Sequence, residues 1–160
     1  MTGAMRDRQV RIGVLGCSEC AARAMIPAMQ ASPQVCLAGV ASRDLARAQV
    51  FAERFGCEAI EGYARLIESD AIDAVYVPLP PGLHEEWVER CLDAGKHVLV
   101  EKPFVPTEAA ARRLIDKARA KGLAIVENML FPHHSQTAWV REQLAAGLVG
   151  EVRLFRCTFS

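Results

Sequence analysis

Val10-Arg11-Ile12-Gly13-Val14-Leu15-Gly16-Cys17-Ser18-Glu19-Cys20-Ala21 is the stretch on which the fold turns. Apolar residues at Val10, Ile12, Val14 and Leu15 read as a short buried strand. The strand meets Gly16, and an alanine-rich helix is expected from Ala21 to Ala31, bent where Pro27 falls inside it. Strand, tight glycine turn and helix form a phosphate-receiving geometry. The backbone comes close to the anion, and the first N–H groups of the helix face it. The usual spacing is G-x-G-x-x-G or A; here Ser18 takes the place of the second glycine and Ala21 that of the third. Serine is small and its hydroxyl can donate, so close phosphate approach is retained. An ordinary strand-to-helix turn would look much the same, so the rest of the chain must decide.

Working outward, apolar runs and helical stretches alternate along the chain, which predicts an α/β fold with a doubly wound parallel sheet. A second strand is expected over Val35–Ala41. Asp44 then caps a helix whose apolar face is Leu45, Ala48, Ala52 and Phe55, closed by Gly56. A short strand over Glu58–Ile60 precedes a brief helix over Tyr63–Glu68, and Asp73–Val77 is a fourth strand. Leu83, Trp87, Val88, Cys91 and Leu92 share one helix face, ended by Gly95, before a fifth strand over His97–Val100. A helix carrying Ala111, Leu114, Ile115 and Ala118 leads to a sixth strand, Leu123–Glu127. Six strands complete a dinucleotide-binding sheet by Asn128, giving a first domain over residues 1–128. Residues 129–160 are expected to begin a second α+β domain: a helix over His134–Ala146, then a strand over Glu151–Phe159. That strand is apolar on both faces and has no partner, and the chain stops at Ser160.

Composition narrows the function. The chain has 160 residues, enough for one domain with a substantial core, and its 19 basic and 19 acidic side chains balance. No basic face is indicated, so nucleic acid is not an expected partner. No run approaches membrane-spanning length, and Met1–Arg8 is polar rather than a leader; a cytoplasmic protein is expected. The six cysteines are scattered, and most fall in expected strands or helices as small hydrophobes. Cys17 and Cys20 form a C-x-x-C. It reads as a redox pair or half a zinc site, or as two small residues in the turn. No second C-x-x-C completes a zinc site, which favours the last and predicts no metal. A helix N-terminus would nonetheless lower both thiol pKa values and make them reactive.

Chemistry gathers where strands end. NAD binders usually place a carboxylate at the end of the second strand; here Ala41 stands there, followed by Ser42 and Arg43, a hydroxyl and a guanidinium suited to a 2′-phosphate. Asp44 fits the helix cap better than a ribose. Pro78-Leu79-Pro80-Pro81 after the fourth strand forces an extended turn at the same edge, and His84 beyond it either touches a ligand or caps a helix. The fifth strand runs into Glu101-Lys102-Pro103. A partly desolvated Lys102 near a nicotinamide ring would move a proton as a carbonyl is reduced; the alternative is a surface salt bridge with Glu101. The Lys102-Pro103 bond is a candidate for cis.

Gly16-Cys17-Ser18, the Ala41-Ser42-Arg43-Asp44 turn, Tyr76-Val77-Pro78-Leu79-Pro80 with Gly82-Leu83-His84, Ala94 to Pro103 and Glu127-Asn128-Met129 together resemble the Gfo/Idh/MocA oxidoreductases. Within them the chain is most similar to NADP-dependent 3-ketoreductases of nucleotide-linked deoxysugars, on Ser42-Arg43, the Pro-Leu-Pro turn and His133-His134-Ser135-Gln136. The resemblance implies hydride transfer from NADPH to C3 of a keto-sugar. It assigns cofactor binding to Gly16, Cys17, Ser18, Ser42, Arg43, Tyr63, Leu79, His84 and Glu101. Lys102 would be catalytic and touch substrate, with Arg23 a further substrate contact. Pro81 stands where such proteins often have Asn. The family continues into a large open sheet that supplies most of the substrate pocket, a second acid–base residue and a surface for homo-oligomers. Other readings are a dihydrodiol or inositol dehydrogenase, against the latter of which Ser42-Arg43 argues, and a catalytically silent NADP-binding module.

Overall fold

A computed structural model describes residues 9–158. The chain divides into two compact units, Met1–Asn128 and Met129–Ser160. The first is built on six parallel strands: β1 (Val10–Leu15), β2 (Val35–Ser42), β3 (Glu58–Glu61), β4 (Ala74–Val77), β5 (His97–Val100) and β6 (Ile125–Glu127). Their order is β3-β2-β1-β4-β5-β6, the doubly wound arrangement expected. Register brings the strand ends level: Leu15 pairs with Ala41, Val14 with Tyr76, Val77 with Val100, and Val100 with Glu127. Every carboxyl end therefore opens on one edge, and the order reverses direction between β1 and β4.

Alternation along the strands sends side chains to two cores. Ile12, Val14, Val40 and Tyr76 pack with Ala21, Ile26, Met29 and Ala52 on one face. Leu15, Ala41, Val75, Val77, Val98 and Val100 pack on the other with Leu66, Val88, Leu92 and Leu114. The helices supplying these layers are α1 (Ile26–Ala31), α2 (Leu45–Phe55), α3 (Tyr63–Glu68), α4 (His84–Asp93) and α5 (Glu108–Ala120).

Local chemistry sets their ends. Asp44 caps α2, its carboxylate accepting from the N–H groups of Ala46 and Arg47, and Gly56 closes it in the left-handed conformation. Thr107 caps α5 by accepting from Ala110 N–H. The bend expected at Pro27 takes a specific form: a π-helical turn over Ala21–Met25 precedes α1, and Ile26 N–H reaches back to Ala21 O. Proline has no N–H and its ring crowds the carbonyl four residues back, so a wider turn before it relieves the conflict.

Some bounds differ from the sequence reading. β4 starts at Ala74, and just before it the Asp73 carboxylate accepts from the Arg11 backbone N–H at 2.9 Å and from its guanidinium at 2.9 and 2.7 Å. β6 is three residues long. On the outer surface Glu85, Glu89 and Asp93 of α4 face Arg113 and Lys117 of α5, with Lys117 Nζ 2.8 Å from both Glu89 and Asp93.

The second unit contains a 3₁₀ turn, Phe131–His133, and α6 (Ser135–Ala145). His134 Nδ1 accepts from Gln136 N–H, and the Thr137 hydroxyl donates to Phe131 O. The strand expected over Glu151–Phe159 is not formed. Residues 152–158 have no regular structure, and Phe159 and Ser160 lie outside the described residues. A strand needs a ladder partner, and none is present for it among the described residues. Leu130, Phe131, Leu154 and Phe155 are left exposed.

Candidate cofactor-binding edge

Gly16 sets the geometry of the edge. Its N–H donates to Ala41 O at 2.8 Å, and its φ of +91° is one that L side chains rarely adopt. A Cβ there would lie 3.1 Å from Leu79 Cδ2 and 3.5 Å from the Tyr63 hydroxyl, so the absence of a side chain keeps the turn open. Ser18 Oγ accepts from Ala21 N–H at 3.1 Å, which caps the first helical turn and leaves its hydrogen free to donate outward. Ser42 is buried, and its Oγ accepts from Asp44 N–H.

A hollow of about 250 Å³ unites these groups, lined by Gly16, Cys17, Ser18, Ser42, Arg43, Arg47, Tyr63, Pro78, Leu79 and Pro80. Arg47 is the residue that sequence reasoning missed. It sits in the first turn of α2, three residues past the Asp44 cap, and its Nη2 donates to Cys17 O at 3.1 Å across the mouth of the glycine turn. Its place in the first turn of a helix capped by Asp44, just after the end of β2, was the available signal. A larger hollow of about 520 Å³ lies over the adjoining face of α2, lined in part by Val50, Phe51 and Arg54. It shares Cys17 and Arg47 with the first but holds neither Gly16 nor the ends of β2 and β4, so the smaller hollow is the better phosphate site. Tyr63 packs edge-on against Trp87 with ring centroids 5.0 Å apart.

Further along the edge, Glu101 is half-buried. Its Oε1 accepts from the Tyr76 hydroxyl at 2.5 Å and from Asn128 Nδ2 at 2.6 Å. Burial, then the Glu101 hydrogen bond, push the Tyr76 hydroxyl far above its ordinary pKa, so Tyr76 is a permanent donor. The Lys102-Pro103 bond is cis. Lys102 is exposed and makes no salt bridge with Glu101.

Two expectations are corrected, those for His84 and for the Cys17 thiol. His84 does not line the groove: it is fully buried, with Nε2 2.7 Å from Leu79 O and Nδ1 2.9 Å from Pro103 O. Its neighbours are backbone carbonyls because the ring lies between the loops after β4 and β5. Arg23, expected as a substrate contact, is exposed and paired with Glu19 at 3.1 Å, its neighbour one turn back. The Cys17 thiol is not activated by the helix start: burial raises its pKa, ahead of the lowering effect of Arg47. Burial pushes Cys57 up to about 11 and Cys91 up to about 12. All six cysteines are free, and only Cys91 is a fully buried core residue. Among the described residues no cluster of three or more His, Cys, Asp or Glu is placed to hold a metal, and no helix is long and apolar enough to cross a membrane.

A glycine turn, a small hollow and a polar strand end on one sheet edge define a dinucleotide-binding protein. Residues 10–129 match the oxidoreductase family with an NAD-binding Rossmann fold, and the chain belongs to that Gfo/Idh/MocA family. Among curated relatives, the dTDP-3,4-didehydro-2,6-dideoxy-α-D-glucose 3-reductase of Saccharopolyspora spinosa is 51% identical over 152 residues, covering 95% of this chain and 46% of the relative. The same-named enzyme of Streptomyces violaceoruber is 50% identical over 153 residues, covering 96% of this chain and 45% of the relative. The crystal structure of KijD10, a 3-ketoreductase from Actinomadura kijaniata, in complex with NADP and TDP-benzene superposes with a TM-score of 0.89 at 48% identity, covering 91% of this chain and 45% of that one. The chain thus spans about half the length of these relatives.

Proposed function

We propose that this chain is the cofactor-binding part of an NADP-dependent oxidoreductase that reduces the C3 keto group of a nucleotide-linked deoxysugar. The observation that carries the reading is the pairing, in one hollow, of the open Gly16 turn with Ser42, Arg43 and Arg47 and no carboxylate at the end of β2. Those residues fit NADP(H). The missing Cβ at Gly16 would leave room for the pyrophosphate, Ser18 would offer a hydroxyl, and the guanidiniums of Arg43 and Arg47 would pair with a 2′-phosphate. The hollow suits the adenosine-phosphate end, and the nicotinamide end would run toward Glu101.

Bound NADPH supplies the hydride. Lys102 holds a proton at Nζ for the carbonyl oxygen of the sugar as it becomes an alcohol. Tyr63 and Leu79 close the hollow beside the glycine turn. Residues 129–160 begin the substrate domain in this reading, and nucleotide-sugar recognition, the second acid–base group and homo-oligomer contacts belong to that domain. The relatives' names favour this substrate over inositol or a dihydrodiol.

The test is calorimetric titration of the chain with NADPH and with NADH. A preference for NADPH of about tenfold or more, ~1.4 kcal/mol, supports the reading. Equal or NADH-favoured binding overturns the cofactor assignment. Turnover of a nucleotide-linked keto-sugar by the wild-type chain, lost in Lys102→Met, would exclude a silent binding module.

A further inference from the structure

Lys102 stands just past β5, where the ladder has stopped, and its side chain has no hydrogen bond or ion pair among the described residues. The residues on either side of it are held firmly. On the near side, Glu101 N–H donates to Val77 O at 3.1 Å, and Glu101 Oε1 takes the two hydrogen bonds from Tyr76 and Asn128. On the far side, Phe104 N–H donates to Glu127 Oε1 at 2.8 Å, and His84 Nδ1 lies 2.9 Å from Pro103 O and 3.2 Å from Phe104 O. Tyr76 is on β4, Glu127 ends β6, Asn128 follows it, and His84 begins α4. Three separate elements of the scaffold thus grip a four-residue loop.

Water could satisfy a loop N–H such as that of Phe104 at no cost. Placing a carboxylate there instead, and loading a second one with a buried tyrosine hydroxyl, fixes the loop's direction as solvent cannot. We propose that Tyr76, Glu127, Asn128 and His84 are positioning residues for Lys102, holding the backbone on both sides of it so that its ammonium is carried at one place on the carboxyl edge. The proposal rests on the reading of that edge as the nicotinamide site. None of the four makes a hydrogen bond to the Lys102 side chain.

The charge of the nicotinamide ring provides the readout. The oxidised ring is cationic and the reduced ring neutral, so an ammonium fixed beside it weakens NADP⁺ relative to NADPH. Titration calorimetry with both forms gives the ratio of their dissociation constants, and thermal melts verify folding. In Lys102→Met the ratio should fall roughly threefold or more. In Glu127→Ala and Tyr76→Phe it should fall by a similar factor, with little further change when either is added to Lys102→Met. Glu127→Gln keeps an acceptor for Phe104 N–H and should restore the ratio. A merely structural role would weaken both forms alike. If Lys102→Met lowers the ratio while both other variants, folded, leave it unchanged, the positioning role is wrong. If Lys102→Met itself leaves the ratio unchanged, the ammonium is not beside the ring and the proposal falls while the cofactor reading stands. If the wild type binds neither form, both fall.

Discussion

The Tyr76 hydroxyl donates to Glu101 Oε1 at 2.5 Å, tying the core of β4 to the first residue beyond β5. The ring of Tyr76 is completely buried and the carboxylate half-buried, so the bond lies between the packed core and the ligand edge. Tyr76→Phe keeps the packing and deletes the donor. We expect a loss of about 1 kcal/mol, seen as a fall in melting temperature of roughly 3 °C. An unchanged melting temperature would show the bond is replaced by water.

Gly16→Ala should damage folding and binding together. The new Cβ meets Leu79 Cδ2 at 3.1 Å on a backbone with φ of +91°. The conformation alone costs roughly 1–2 kcal/mol, and in the proposed site the methyl group would stand where phosphate approaches. Melting curves should drop by a few degrees, and NADPH affinity should fall by more than the stability loss explains. Affinity equal to wild type would remove the turn from the binding site.

In the proposed site, Arg47 and Arg43 should make separable contributions to cofactor choice. Arg47→Met should weaken NADPH roughly tenfold and change NADH little, because the latter has no 2′-phosphate. Arg43→Met should do likewise. Equal losses for both cofactors on Arg47→Met would mean that its bond to Cys17 O, rather than its charge, is what binding needs.

The ladder between α4 and α5 predicts a particular acid response. Hydrogen bonds from Lys117 first, then Arg113, hold the Glu89 carboxyl below its ordinary 4.5; one from Lys117 holds Asp93 below 3.8. A depressed carboxylate pKa stabilises the fold above the unfolded-state value, and that contribution is lost as pH falls through the folded-state value. Lys117→Met should therefore lower the melting temperature at neutral pH, and the gap from wild type should close as pH falls below the ordinary carboxylate range. A gap of constant size down the acid limb would show that Lys117 acts by packing alone.

Thiol accessibility gives a further check. Alkylation at mildly alkaline pH should reach exposed Cys20, Cys36 and Cys157 first, with Cys57 and Cys91 last. Early modification of Cys91 would reveal opening between α4 and the sheet.

The sheet was legible because its signals are local. Val10 to Leu15 with Gly16, the Asp44 cap and the closing Gly56 each depend on neighbours within a few residues, and α3 and β5 fall where the sequence places them. The lining of the hollow by Ser42 and Arg43 follows from strand-end position alone. The rest was hidden because it depends on partners distant in sequence. His84 has the same spacing after Pro80 whether it faces ligand or backbone; only the proximity of Pro103, 19 residues away, turns it inward. Arg47 becomes visible only when α2 is laid beside Cys17. Alternation over Glu151–Phe159 describes what a strand would bury, and a ladder partner decides whether it forms.

The order of the sheet has a consequence for synthesis. β1 is central, yet one of its two neighbours, β4, is anchored to it by an Arg11–Asp73 pair 62 residues apart. At ribosomal rates of about 5–20 residues per second, β1 waits roughly 3–12 s for that neighbour. During that interval β1, β2 and β3 expose the edge that will become the middle of the protein. The same crossover that later opens the cofactor crevice therefore makes the nascent chain most vulnerable to mispairing halfway through its first domain.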